Sequence, residues 1–388
     1  MKVGLLASHP IQYLTPLLQE LSKVVDLHVY YSHQSTPADQ SKAGYGVEFE
    51  WDIDLLSGYS YTFLKNSSKK PGVNNFFGCN NKDLSKYIKR EGFDAFIVTG
   101  WYLRCYWQAI HACHSENIPV LVRGDSHLGT PRSLVKRIAK EVVHRWIIRQ
   151  FDGYLFVGNK NKEYLLHYGA DERRLFSVPH FIDNKRFKEI SLACEHEQQD
   201  MLTKLSIHKN ELILLFVGRL VPFKRPMDLI VAIKRLNDKK IRVRGVFVGS
   251  GPLEGELKAR SKDLGLDIIF TGFKNQSELP LFYSMADMLV LPSSSHETWG
   301  LVANEALACG TPIIVSEAVG CSTDLVDDCA TGVTFKLGNT VELTDAILKM
   351  IPKLSHKNTS AAIERKCENY SIEKAIKGIL EAVEQVGR

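Results

Sequence analysis

Short apolar runs alternate with helical patterns from one end of the chain to the other. In the first half the runs are Val3–Ala7, Leu27–Tyr31, Phe93–Thr99, Pro119–Arg123, Tyr154–Gly158 and Phe176–Pro179. In the second half they are Leu212–Gly218, Val243–Gly249, Ile268–Gly272, Met288–Pro292, Pro312–Ser316 and Gly332–Phe335. Several are apolar without alternation, the pattern of strands covered on both faces. Stretches such as Pro226–Leu236 and Glu254–Leu264 carry helical periodicity between them. Alternating β and α elements imply parallel sheets flanked by helices. About six strands per half predicts one doubly wound, Rossmann-like α/β domain in each half.

The run "ACEHEQQDM", residues 193–201, is polar and without strand character, and marks the expected boundary. With a linker around Asp183–Leu192, the expected domains are 1–190 and 191–369, facing each other across a cleft. The last helical pattern, Ile372–Val386, comes late for the second sheet, so 370–388 is expected to pack back on the first domain. Residues 65–83 read as a loop.

Composition narrows the class. The chain has 388 residues, a formal net charge of +5 and 44% apolar residues, an ordinary globular balance that gives no sign of a nucleic-acid binder. No apolar run approaches the ~20 residues of a membrane span. The start "MKVGLLASHPIQ" reads as a buried first strand rather than a leader peptide. Eight scattered cysteines without a CxxC pair suggest free thiols in a reducing, cytoplasmic setting. "HACH" (His111 to His114) completes no metal pattern and reads as helix surface.

Three stretches carry candidate chemistry. In "LLFVGRLVPFKRPMDLI" a buried strand ends at Gly218, and Arg219 and Lys224 follow in the loop. Ligands of open α/β sheets bind outside the carboxyl ends of strands, where these two cations suit a diphosphate. The alternative is a solvated basic turn. "GVFVGSGPLEG" contains Gly249-Ser-Gly251 but has Glu254 where a dinucleotide fingerprint needs glycine, so a bound NAD is not expected. In "SSSHETWGLVANEALACG" Glu297 precedes a predicted helix, Gly300–Cys309, and Glu305 lies inside it among apolar neighbours. The first amides of that helix, at Gly300 and Leu301, suit a phosphate. A carboxylate at position 305 needs donors, either a ligand diol or a buried partner.

These segments together resemble the retaining glycosyltransferases of family 4, which have the GT-B fold. "HETWGLVANEALACGTP" is similar to the family's E-x7-E signature. "VGRLVPFKRPMDLI", "FVGSGP", "FTGF" and "SVPHFIDNKRF" resemble its other landmarks, densely from about Asp152 to Gly332. The resemblance implies that Arg219 and Lys224 hold the donor diphosphate, beside the Gly-rich turn at Gly249. Glu305 would bind the ribose hydroxyls and Glu297 those of the donor sugar. Backbone near Phe273 and Lys274 would hold the nucleobase. It also implies no catalytic metal and no cofactor.

The chain departs from the family in three places. Arg225 stands where the family often has glycine. The loop after the first strand is "SHPIQYLTP", whose Ser8, His9, Gln12 and Tyr13 are acceptor-side candidates; the alternative is a capped helix start with Pro10 in its first turn. The position of the family's active-site histidine falls on Asp125, with His127 two residues on, and either is a candidate for the reaction centre. Arg123 is a possible structural partner of Asp125.

Finally, "PRSLVKRIAKEVVHRWIIRQF" places Leu134, Ile138, Val142 and Trp146 on one stripe, with basic residues off it. The simpler expectation is a stripe packed on its own sheet. The other is peripheral contact of 131–151 with the inner face of the membrane. The resulting expectation is a cytoplasmic hexosyltransferase in cell-surface polysaccharide synthesis. Its donor is a nucleotide-diphosphate sugar, a UDP-sugar favoured and GDP-mannose possible. Its acceptor is a hydroxyl of a glycan or a lipid-linked acceptor, and nucleic acid is not a partner. A nucleotide-sugar epimerase of the same fold and a non-catalytic sugar-nucleotide binder are the alternatives.

Overall fold

The computed structural model describes residues 1–37, 41, 47–130, 133–354 and 357–387. The chain divides into two units, Met1–Thr36 with Asp54–His180 and Ile372–Arg388, and Pro37–Ile53 with Phe181–Ser371.

The first unit is a seven-stranded parallel sheet in the order β3-β2-β1-β4-β5-β6-β7. Its strands are β1 Lys2–Ala7, β2 Asp26–Tyr31, β3 Ser60–Phe63, β4 Ala95–Val98, β5 Val120–Gly124, β6 Gly153–Phe156 and β7 Leu175–Ser177. Helices α1 Leu14–Leu21, α2 Leu84–Glu91, α3 Arg104–Ser115, α4 Leu134–Ile148 and α5 Asn159–His167 connect them. The edge strand β3 has no apolar run to announce it, because an edge strand beside solvent need not be apolar on both faces. Residues 65–83 are largely irregular, with one short turn of 3₁₀ helix at Phe76–Gly78. The C-terminal helix Ile372–Val386 lies against α1, β6 and β7, and the Cα of Gly378 lies so close to the Ser177 carbonyl that no side chain would fit between them.

The second unit begins with two helices, α6 Asn184–Ala193 and α7 Glu195–Lys204. They occupy the stretch read as a linker. Asp183 caps α6 by accepting from the Arg186 amide at 3.0 Å, and Phe187 anchors it in the core. The division between units falls at His180/Phe181, earlier than the expected 190/191. Six parallel strands follow in the order β10-β9-β8-β11-β12-β13. They are β8 Leu212–Val217, β9 Val243–Val248, β10 Ile268–Gly272, β11 Met288–Leu291, β12 Ile313–Ser316 and β13 Gly332–Phe335. Between and after them run α8 Pro226–Asp238, α9 Glu254–Asp263, α10 Leu279–Met285, α11 Val302–Ala308, α12 Ser322–Leu325, α13 Thr340–Met350 and α14 Lys357–Asn369. Phe216, Phe247 and Phe270 form a ladder across β8, β9 and β10, with ring centroids 5.4 and 5.2 Å apart. Such cross-strand aromatic pairs add about 0.5–1.5 kcal/mol each beyond their buried area. They fix the register of the three strands whose carboxyl ends carry the site.

No described helix is long and apolar enough to cross a membrane. The eight cysteines are free. His111 and His114 lie on α3, with the His114 ring against the Gln150 carbonyl at 3.1 Å. Among the described residues, no three His, Cys, Asp or Glu side chains gather in a way that could hold a metal.

Candidate active site

At the carboxyl end of the second sheet, three strand ends are drawn together by glycine. The chain leaves β8 at Gly218 with φ +145°, β9 at Gly249 with φ +133° and β10 at Gly272 with φ +71°. A Cβ on Gly249 would lie 2.1 Å from the Gly218 carbonyl oxygen, an impossible contact. The Gly249 amide donates to the Gly272 carbonyl at 2.8 Å. Glycine here lets backbone cross backbone.

Past Gly218 the loop makes a 3₁₀ turn, Pro222–Lys224, before α8. Arg219 and Lys224 flank the Phe223 ring at 5.7 and 5.8 Å from its centroid. The Phe223 carbonyl accepts from the Ser294 amide at 2.8 Å, tying this turn to the loop after β11. That loop carries Glu297, whose carboxylate forms an ion pair with the Lys224 ammonium, both side chains largely buried. The Glu297 carbonyl accepts from the Gly320 amide at 3.1 Å, and that of Trp299 from the Cys321 amide at 3.1 Å. The acid is thus held from two sides.

Arg225 has φ +52°, in the left-handed region that costs a side-chain-bearing residue about 1–2 kcal/mol. Glycine would sit there without strain. Arg225 instead forms a bidentate pair with Asp228, at 2.6 and 3.0 Å, in the first turn of α8. A forked, half-buried guanidinium–carboxylate pair offsets strain of that size.

Helix α11 is shorter than expected, beginning at Val302 rather than Gly300. Its first i to i−4 bond runs from the Glu305 amide to the Leu301 carbonyl at 3.0 Å. The amides of Gly300 and Leu301 therefore lie just ahead of its first turn. The Glu305 side chain is fully buried, and one carboxylate oxygen accepts from the Tyr283 hydroxyl of α10 at 2.5 Å. Tyr283 is the donor that the sequence did not reveal, since it lies 22 residues away on another helix. In this structure the Glu305 carboxylate is closed off from solvent.

Phe273 and Lys274 follow β10. Lys274 pairs with Glu278 at 2.9 Å, and the Phe49 ring lies over Phe273 with centroids 4.1 Å apart. Phe49 belongs to a stretch, residues 47–53, that no sequence pattern places in this unit.

The first unit has its own polar cluster at strand ends. Arg123, near the end of β5, lies 3.5 Å from the His180 ring, just past β7. Burial lowers the Arg123 guanidinium to about 10 against the opposing pull of Asp125. Burial, then the Arg123 charge, holds His180 well below the ordinary imidazole range, so it is neutral at pH 7. His127 is buried and its Nδ1 accepts from the Gly129 amide at 3.0 Å. Asn161 of α5 holds the adjacent Ser126 carbonyl at 2.8 Å. His180 was visible only as part of a landmark segment, without a role. Ser8 and His9 hydrogen-bond to each other at 2.9 Å, and Gln12 is buried. Tyr13 immediately precedes α1, so Pro10 lies outside the helix rather than in its first turn.

Most of the stripe on α4 does not pack inward: Ile138 and Val142 are 60% and 69% exposed, while Trp146, 56% exposed, stacks on Trp107 with ring centroids 5.2 Å apart. The side chain of Leu134 lies outside the described residues. Pro131 and Arg132 lie outside the described residues. The face turned to the unit carries Ile147 and Ile148, His144 against the Tyr164 hydroxyl at 2.5 Å, and Lys140 over the Tyr164 and Tyr168 rings. Aromatic partners on α5 and beyond take the place of an aliphatic stripe, which a periodicity argument does not foresee.

Residues 197–366 match the family described as "Glycosyl transferases group 1". A D-inositol 3-phosphate glycosyltransferase of Rhodococcus jostii (strain RHA1) is 27% identical over 300 residues, 73% of this chain and 63% of that protein. The enzyme of the same name from Corynebacterium glutamicum (strain R) is 30% identical over 229 residues, 56% of this chain and 52% of that protein. The chain thus spans less than two thirds of the length of these relatives. Among solved structures, a glycosyltransferase from Rickettsia africae ESF-5 superposes with a TM-score of 0.75 at 17% identity, covering 99% of this chain and 98% of that one. Anabaena HepE in complex with UDP gives 0.73 at 16% identity, covering 99% and 100%. The segment 197–366, which carries the Lys224–Glu297 pair, therefore matches the group 1 glycosyl transferases, and the chain as a whole has the fold of the GT-B glycosyltransferases.

Proposed function

We propose that the protein is a retaining hexosyltransferase that takes its sugar from a nucleotide-diphosphate donor, a UDP-sugar before GDP-mannose. The observation that carries this reading is the buried Lys224–Glu297 pair beside Arg219 at the glycine-crossed strand ends. A diphosphate brings negative charge that a fixed guanidinium and ammonium neutralise without reorganisation, and such preorganised charge is a large catalytic term. Arg219 and Lys224 hold the diphosphate, with the Gly300 and Leu301 amides and the turn at Gly249 beside it. Glu297, ion-paired and oriented, accepts from hydroxyls of the donor sugar. Glu305, oriented by Tyr283, accepts from the ribose once its cover moves. Backbone at Phe273 and Lys274 meets the base. The solved complex of HepE with UDP supports a uridine donor.

In the transfer step the bond from the anomeric carbon to the leaving phosphate oxygen breaks, and a bond from an acceptor oxygen forms on the same face. The acceptor proton passes to that phosphate oxygen. The acceptor is a hydroxyl of a glycan or of a lipid-linked glycan, in cell-surface polysaccharide synthesis. Asp125, His127, Ser8, His9, Gln12 and Tyr13 serve it from the first unit. The relatives named above are glycosyltransferases, which supports transfer over epimerisation or mere binding.

The protein works from the cytoplasm at a membrane surface, held there by α4. Its exposed apolar stripe is bordered by Arg145 and Arg149, the arrangement of an interfacial helix. Ile138→Glu with Val142→Glu abolishes binding to vesicles containing phosphatidylglycerol; equal binding by the double variant refutes the contact.

The donor reading is tested by titrating UDP and GDP calorimetrically into the wild type and Glu305→Gln. A charge-assisted bond of about 1.5–3 kcal/mol corresponds to about 10–100-fold weaker binding. Unchanged affinity for both nucleotides sinks the ribose assignment.

A further inference from the structure

Residues 47–53 lie between β2 and β3 of the first sheet in sequence, yet they pack with the second unit. Three anchors hold them there, all on the segment just past β10. The Phe49 ring lies over Phe273 at 4.1 Å, tilted by 32°. The Asn275 side-chain amide donates to the Glu50 carbonyl at 2.7 Å. The Ser277 amide donates to the Asp52 carboxylate at 3.0 Å, and the Ser277 hydroxyl bonds the same oxygen. The Trp51 ring stands edge-on to Phe49 at 4.9 Å.

Phe49, Trp51 and Phe273 each remain only half-buried, so part of this aromatic cluster faces solvent at a strand's carboxyl end. The phosphate-binding candidates lie at the end of β8, two strands away in the order β10-β9-β8. Two strand spacings are about 10 Å, the reach from a diphosphate across a ribose to a base. Aromatic rings stack bases of any identity, since every base presents a π-face.

We propose that Phe49 and Trp51 form a stacking wall for the donor's nucleobase, joined to Phe273. The inference rests on the donor reading above and adds to it two residues outside the sequence segments that match the family. It assigns affinity for the base to side chains, where the sequence had offered only backbone.

The test is calorimetric titration of UDP, GDP and inorganic pyrophosphate into the wild type, Phe49→Ala and Phe49→Tyr. Phe49→Ala weakens both nucleotides about ten-fold. It leaves pyrophosphate unchanged, and Phe49→Tyr restores nucleotide affinity. Nucleotide affinity that is unchanged in Phe49→Ala overturns the wall. Tighter binding overturns it too, and makes the segment a plug. A wild type that binds pyrophosphate and no nucleotide overturns the donor reading together with this one. Should Phe49→Ala fail to fold, tryptophan emission decides. UDP changes the emission of the wild type and pyrophosphate does not, and Trp51→Phe removes the change. A UDP-induced change that survives in Trp51→Phe overturns the proposal.

Discussion

The two sheets end in polar clusters of opposite design. In the second unit a buried cation meets a buried anion, Lys224 with Glu297, in an ion pair. In the first, Arg123 meets His180, two basic groups at 3.5 Å, and burial with the neighbouring charge drives the imidazole neutral. A balanced pair is a place to receive a charged group, since an incoming diphosphate can take over the ammonium's partner role. A neutral imidazole beside a fixed guanidinium is a place to receive a hydroxyl.

The most damaging change to this comparison is Lys224→Met, which deletes the cation and leaves Glu297 buried. Release of nucleoside diphosphate from the donor is expected to fall about 100–1,000-fold, the scale for losing one preorganised electrostatic contact. A fall of less than ten-fold would put the diphosphate elsewhere.

The pH dependence of the first cluster comes next. His180 is held below its ordinary value of 6.5 in the fold and regains that value on unfolding. The unfolded chain then binds the extra proton, so the stability the group confers is full above about pH 6.5. It is lost as pH falls below that value and on through the folded pKa. Urea denaturation at pH 7.5 and 5.5 should show a loss in the wild type that His180→Gln reduces. Equal losses would mean that other groups govern the acid side.

The smallest effect separates strain from pairing at Arg225. Arg225→Ala keeps the left-handed backbone and loses the Asp228 fork, and should cost about 1–2 kcal/mol in thermal or urea unfolding. Arg225→Gly loses the fork and the strain together, and should lie within about 0.5 kcal/mol of the wild type. If alanine and glycine cost the same, the positive φ carries no strain.

Much of this was legible in the sequence. Apolar runs, several of them without alternation, located twelve of the thirteen strands among the described residues, because a strand covered on both faces has a composition that little else shares. Arg219, Lys224 and Glu297 stand out in the sequence because their segments are contiguous and each follows a strand, and the structure pairs Lys224 with Glu297. What escaped was long-range or reversed in sense. Tyr283 meets Glu305 from another helix, and Phe49 reaches Phe273 from the far half of the chain. The α4 stripe has the right period, but periodicity marks a face without saying whether protein or solvent lies against it. The stretch around 183–201 looked like a linker because its helices are polar, with few apolar anchors such as Phe187.

One further consequence follows from the route of the chain. It passes between the units four times, at 36/37, 53/54, 180/181 and 371/372. During synthesis the second unit has all its residues once Ser371 has left the ribosome. The first has not, although its seven strands emerged long before, because Ile372–Val386 must still cover β6 and β7. The part made first is completed last, and a truncation near the C-terminus strikes the seven-stranded sheet rather than the six-stranded one.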